Sequence, residues 1–322
     1  MAGTSGGAGP LSIPTTLDTT ALNTSLAHYT KQLTDNVYDS NDILRMFNQN
    51  NKETIDGGMS IVETLIELEQ DSGGFYLGAD LLDNTQPNTL ATVEYRWQNA
   101  YEPIMITRDE ERQNSGDVHK IIDLAGTKTI LSEKAIAKRL EQALSTPVGA
   151  ANNLIDLETL VNTGDLGTIA GGTDTFWQAT VTASGAFATQ GLSDMTTAYY
   201  GVSGGTNSDN PTHFITTKVV FQKYEQTRLP LERISNTLTA NAGFDNLTFK
   251  GRPIFYGNFI ATGLMFGLNM NYVSLKVDSA TDMVTTDFQM PINQTVKVAF
   301  ILWRGNLTTN NRRRLFKLTG IT

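Results

Sequence analysis

The chain contains no cysteine in 322 residues, which excludes disulfides, thiolate zinc sites and a cysteine nucleophile. Histidine is nearly as scarce. His28, His119 and His213 stand far apart, with no H-E-x-x-H and no second ligand at metal spacing, so each reads as a surface or packing residue. No G-x-x-x-x-G-K-[ST] is present, and no G-x-G-x-x-G follows a strand pattern, so nothing cradles a phosphate and no cofactor is expected. Long apolar runs are also missing: VAFILW at Val298–Trp303 falls far short of the roughly 18 residues that a membrane helix requires. The opening stretch MAGTSGGAGPLSIPTTLDTT has neither a basic start nor an apolar segment, so the expectation is a protein made and kept in the cytosol. Positive charge is in deficit as well. A net charge of -9 makes the molecule as a whole repel nucleic acid and anionic membranes, although a local basic patch could still bind either.

Two motifs invite a chemical reading and are weaker than they look. GVSGG at Gly201–Gly205 matches G-x-S-x-G, but a serine elbow needs a strand before the serine and a helix after it. Here a helix-like segment precedes Ser203 and a turn follows, so a glycine-rich helix stop is the better reading. Arg312, Arg313 and Arg314 form the one dense basic cluster. Contact with DNA phosphates is conceivable there, but a solvated strand start or ion pairing with acidic neighbours is the more ordinary role. No catalytic constellation emerges, and the chain is not read as an enzyme.

With 39% hydrophobic and 18% charged residues, the composition is that of a globular protein long enough for about two domains. Residues 1 to about 20 are rich in Gly, Ser, Thr and Pro without periodicity and read as an extended arm. Leu22, Leu26, Tyr29, Leu33, Val37, Ile43, Leu44 and Phe47 then recur at loose helical spacing. MSIVETLIELEQ (Met59–Gln70) and TVEYRWQNAY (Thr92–Tyr101) are strand-like and can pair as a long hairpin. In the second, Val93, Tyr95, Trp97 and Tyr101 fall on one side and Thr92, Glu94, Arg96 and Gln98 on the other. A two-stranded hairpin is marginal in water, so something must cover its oily face.

From Asp117 to Leu144 the period becomes helical, giving a helix of about 42 Å. Its apolar stripe is Val118, Ile122, Ala125, Ile136, Leu140 and Ala143, with Lys120, Asp123, Lys134, Lys138 and Glu141 facing away. Pro147 and Gly149 stop it. Beyond lie short helical pieces at NLIDLETLV and SDMTTAYYGVS, then a strand over THFITTKVVFQKYE. The last third is strand-dominated: LTFKGRPIFYGNF, GLMFGLNMNYVSLKV, QTVKVAFILWRGNL and RRRLFKLTGI. Helices and strands come in separate blocks, which argues an α+β fold.

This order of elements resembles the major capsid proteins of tailed bacteriophages, with their Hong Kong 97-like fold. The residues that carry the resemblance are YRWQNAYEPIMITRDEERQNSGDVHKIIDLAGTKTILSEKAIAKRLEQAL, matching the end of that family's extended loop and its spine helix. THFITTKVVFQKYEQTR, FKGRPIFYGNF, GLMFGLNMNYVSLKV and RGNLTTNNRRRLFKLTGI add to it.

The resemblance implies an N-arm over residues 1–48, an extended hairpin (E-loop) over 49–98, and a peripheral domain with the spine helix over 99–149, returning at about 271–310. An axial domain would span 150–270, with a closing strand at about 311–322. It implies that Glu94, Tyr95, Arg96, Trp97 and Tyr101 lie at a subunit interface, the oily face resting at least partly on a neighbouring copy. It also implies self-association into hexamers and pentamers, a separate scaffolding protein, a portal, weak non-specific contact with packaged double-stranded DNA, and no membrane partner. The implied location is the virion capsid, assembled in the bacterial host cytoplasm. Some members cross-link through an E-loop lysine, but no lysine lies between Ile55 and Tyr95, so a non-covalent shell is expected. An encapsulin-type compartment, a phage tail or connector protein, and a hydrolase built on Ser203 are the competing readings.

Overall fold

A computed structural model describes residues 41–67, 74–81, 85, 89–113, 124–147, 153–204, 209–232, 247–292 and 294–322. The expected N-arm up to residue 40 and the first turns of the expected long helix, with Val118 and Ile122, lie outside the described residues. Among the described residues, no helix is long and apolar enough to cross a membrane.

Two sheets organise the chain. The first has five strands and is built around β12 (Val296–Thr309). The N-terminal half of β12 pairs antiparallel with β4 (Gln98–Thr107), and its C-terminal half with β10 (Val273–Asp278). The short β11 (Val284–Thr285) also joins β12, and β1 (Lys52–Ile55) runs parallel to β10. Lys52–Ile55 is thus part of this sheet and not of the projecting loop, for which residues 49–98 had been expected. Pro103 fits within β4 because β12 flanks that strand on one side only, and proline is tolerated where no ladder donor is required.

The helix α3 (Leu124–Ser145), after α1 (Asp42–Asn50) and α2 (Arg108–Gln113) in chain order, lies across one face of this sheet. Ile136, Leu140 and Leu144 of α3 share a core with Ile104, Ala299, Ile301 and Trp303. Lys128 and Ser132 of α3 donate to the carbonyls of Met105 and Pro103 at 2.8 and 3.2 Å, and Arg139 pairs with Glu102 at 2.9 Å.

Two assignments on this helix need correction. Ala125 of the expected apolar stripe is exposed. Glu141, expected to face solvent, is 1% exposed, because the N-terminus of α1 packs onto it and supplies amide donors.

The second sheet has six strands in the order β5-β13-β9-β6-β8-β7. These are β5 (Thr180–Ala183), β13 (Phe316–Thr319), β9 (Met265–Leu268), β6 (His213–Thr216), β8 (Arg252–Tyr256) and β7 (Thr248–Phe249). The short α4 (Leu157–Leu160), capped by the Asp156 carboxylate, precedes it in the chain. Phe187, Met195, Tyr199, Phe214, Tyr224 and Phe316 fill a core shared with α5 (Leu192–Val202) and α6 (Lys218–Glu232).

The stretch THFITTKVVFQKYE, expected as one strand, is strand only to Thr216. The Thr217 hydroxyl then accepts from the Val220 amide at 3.4 Å, and the buried pair Val220 and Tyr224 follows helical spacing. GLMFGLNMNYVSLKV is likewise divided. Asn269 closes a turn, its carbonyl accepting from Tyr272 N–H at 3.0 Å and its side chain from Asn271 N–H at 3.1 Å. This turn sends β9 and β10 into different sheets.

The third paired element is a hairpin. β2 (Ser60–Ile66) runs antiparallel to β3 (Leu90–Arg96) with Val62 opposite Glu94 and Ile66 opposite Leu90.

Candidate assembly surfaces

Alternation places Ile61, Glu63 and Leu65 on the inward face of the hairpin with Ala91, Val93 and Tyr95. Val93 and Tyr95 are 0% and 1% exposed within the single chain. The oily face therefore rests on the chain's own body, and Tyr95 is unavailable to a neighbouring copy. Its phenol donates to the Thr309 carbonyl at 2.7 Å, and burial pushes its pKa well up.

Below β3, Gly167 has φ +65° and its amide neighbourhood approaches so closely that a Cβ would lie 2.4 Å from Val93 Cγ2. Only glycine fits there. The adjacent Thr168 hydroxyl accepts the Glu94 amide at 3.1 Å.

Lys276 of β10 forms a buried ion pair with Glu63, and Glu53 lies 3.5 Å from the same ammonium. This couples the hairpin root to the five-stranded sheet.

The alternation of the sequence does not continue through Trp97. The odd-numbered residues face inward in β3, whereas Ile104 and Ile106 are the buried ones in β4. Tyr101 was expected beside Tyr95 but is 60% exposed on the opposite face. At the slip, Asn306 donates to the Arg96 carbonyl at 2.8 Å and accepts from the amides of Ile155 and Leu307 at 3.0 and 2.9 Å. Trp97 is half-buried under the Arg304 guanidinium, 5.0 Å from its ring centroid. Glu94 and Arg96 are exposed on the outer hairpin face.

Among the described residues, two groups of exposed apolar side chains stand on paired strands. The first is the outer face of the hairpin, with Val62, Ile66 and Leu90; Met59 beside it and Phe75, Tyr76, Leu77 and Leu81 in the connection between its strands are exposed as well. The second is the sheet face opposite α3. Tyr101 and Met105 of β4 adjoin Phe300 of β12, with Tyr101 edge-on to Phe300 at 6.1 Å, and Val284, Phe288 and Met290 flank them. Tyr101 of the second surface is among the implied interface residues, whereas Val62 and Phe300 are not marked by patterning, because they sit in strands whose other face is also apolar.

The arginine cluster divides into three roles. Arg312 is 0% exposed. Its guanidinium donates to the carbonyls of Thr159, Leu160, Gly164 and Trp177 at 3.0, 2.9, 2.7 and 3.0 Å, and burial lowers its pKa to about 10. It is a staple between α4 and the Trp177 turn and cannot reach a phosphate. Arg314 donates to the Val202 carbonyl at 3.0 Å and lies 4.0 Å from Asp209, as ion pairing would have it. Arg313 is exposed.

Ser203 ends α5 with its hydroxyl donating back to the Tyr199 carbonyl at 2.7 Å, and His213 stacks on Phe255 with ring centroids 5.8 Å apart. The two residues are not brought together as nucleophile and base.

No protein-family model matches the sequence, and no curated protein matches it. Solved structures do. A chain of the cyanophage A-1(L) capsid asymmetric unit aligns with a TM-score of 0.69 at 14% identity, covering 93% of this chain and 98% of that one. The capsid of a native GTA particle aligns at 0.63 and 11% identity, covering 93% and 97%. The holo-SrpI encapsulin complex of Synechococcus elongatus PCC 7942 aligns at 0.59 and 12% identity, covering 92% and 93%. The fold of this chain is therefore the Hong Kong 97-like fold, α+β as expected.

Proposed function

We propose that this chain, which carries the Hong Kong 97-like fold along nearly its whole length, is the major capsid protein of a tailed bacteriophage. It would build an icosahedral shell of hexamers and pentamers around double-stranded DNA. The observation that carries this reading is the alignment with a phage capsid subunit over 93% of this chain and 98% of the other.

The chain's own surfaces support it. The hairpin and the open face of the five-stranded sheet are different patches, so contact between them on two copies is heterologous, and such contacts close into rings or continue into lattices. Burying apolar area at about 25 cal/mol per Å² drives the contact, and a patch of about 800 Å² per partner suffices for a stable interface. Glu94 and Arg96 on the outer hairpin face, with Tyr101 and Trp97 at the sheet, are the residues from the implied interface that remain reachable; Tyr95 supports the hairpin from beneath.

The net charge of -9 fits a wall that holds packaged DNA by weak, non-specific contact, since tight phosphate binding would oppose packaging and release. A separate scaffolding protein, a portal and assembly in the host cytoplasm belong to the same reading.

The encapsulin alignment at a TM-score of 0.59 favours a second reading, a compartment loaded with protein cargo. Electron microscopy of particles from the native source, with analysis of their contents, separates the two. Closed shells containing double-stranded DNA are expected; shells holding an enzyme and no DNA would favour the compartment, and tubes or open rings would contradict both.

A further inference from the structure

The α1–α3 contact contains a carboxylate in an unusual place. Glu141 projects from α3 and is 1% exposed. Its two oxygens accept the backbone amides of Ile43 and Leu44, in the first turn of α1, at 3.2 and 2.7 Å. The residues bonded are 98 and 97 positions away in sequence. One side chain thus caps a helix to which it does not belong, while Asn41 at the N-cap position makes no side-chain capping bond.

A buried carboxylate is normally balanced by a cation, and among the described residues none pairs with this one. On α1, Asp42 has the same sign and acts on Glu141 unfavourably, and Arg45 turns to Asp42 at 3.1 Å. On α3 itself, Arg139 reaches outward to Glu102 of β4, and Lys138 lies over the Phe259 ring. The charged groups of the neighbouring strands are engaged elsewhere: Lys52 of β1 with Asp282, Lys276 of β10 with Glu63 and Glu53, Lys297 of β12 with Glu111, and Arg304 with Asp278. Glu158 of α4 pairs with Lys317, and Arg252 of β8 acts on His213. The helix N-terminus supplies partial positive charge, but less than burial removes in hydration.

We propose that Glu141 is a proton-controlled seat for α1: taking up a proton steadies the docking of this helix on α3, and losing it loosens the docking. The direction follows from linkage. When α1 opens away, Glu141 meets water and returns toward its ordinary carboxylate value; when α1 is docked, burial first, and Asp42 after it, hold the group at about 7. A group raised in the docked state contributes stability that is complete below the open-state value and is lost as the pH rises through the docked one. Ile43, Leu44, Met46 and Phe47 are all buried, so α1 remains seated on average and the proton changes how often it opens. This inference is independent of the shell reading, because it concerns a contact within one chain.

Amide hydrogen exchange of peptides covering residues 42–50 in the purified full-length protein tests it. Protection is corrected for the intrinsic pH dependence of exchange, with β10 as internal reference and the assembly state held constant by light scattering. The opening equilibrium of α1 should rise about tenfold between pH 6 and pH 8.5. In Glu141→Gln that dependence should vanish, since the amide does not titrate. Asp42→Asn removes the like charge and should move the midpoint to lower pH, and it decides the matter if Glu141→Gln does not fold. Protection of α1 that is flat with pH in the wild type, or a midpoint unmoved in Asp42→Asn, overturns the proposal.

Discussion

Tyr95 donates its phenolic hydrogen to the carbonyl of Thr309 at 2.7 Å, a contact between residues 214 positions apart. It binds the hairpin to the end of β12, the longest strand of the five-stranded sheet. Tyr95→Phe keeps the ring and leaves the carbonyl without this donor, which should cost about 1 kcal/mol. Tyr95→Ala also empties a core site and should cost about 3–5 kcal/mol. Denaturant unfolding of the dissociated chain checks both, and equal effects of the two variants would show that the ring contributes nothing.

Arg312 organises backbone rather than solvent. Replacing it with Met leaves the carbonyls of Thr159, Leu160, Gly164 and Trp177 without that donor. A loss of about 3 kcal/mol is expected, of the size seen when buried polar groups lose their partner. Arg313→Ala, on an exposed neighbour, should change stability by under about 0.5 kcal/mol. Thermal unfolding of the two variants side by side tests the contrast.

The ion pair of Glu63 and Lys276 is a second anchor of the hairpin root. Lys276→Met leaves Glu63 partly buried without its main counter-charge and should destabilise by about 3 kcal/mol. Replacing both residues with apolar ones of similar size should recover most of the loss. A double-mutant cycle in urea measures it.

Assembly should depend on the open apolar faces and not on the buried one. Val62→Asp and Phe300→Asp each place a charge on an exposed strand position and should leave the unfolding midpoint nearly unchanged while abolishing particles. Sedimentation velocity and circular dichroism on the same samples separate failure to assemble from failure to fold.

Shells should dissociate fully on a denaturing gel, because no lysine lies between Ile55 and Tyr95 to reach a neighbour. A ladder of high-mass bands would contradict this.

Much of the architecture is legible in the sequence because the relevant signals are local. The alternation through Val93 and Tyr95, the stripe Ile136, Leu140 and Ala143, and the stop before Pro147 each follow from one-dimensional spacing. The misread features are tertiary in origin. Tyr95 could be assigned a buried face but not the body that buries it. The reversal of facing at Trp97 depends on Asn306, more than 200 positions away. Glu141 has the spacing of a solvent-facing charge and is buried only because α1 docks there. The division of Thr212–Glu225 into strand and helix falls at Thr217, in a run of β-branched residues that suits a strand equally well.

The proposed shell requires the apolar faces carrying Val62 and Phe300 to be covered by other copies of the chain. Hydroxyl-radical footprinting of intact particles and of dissociated subunits measures that cover directly. Strong protection of Val62, Met105 and Phe300 in the particle, against free labelling in the subunit, is the predicted result; equal labelling of these residues in both forms would contradict the account.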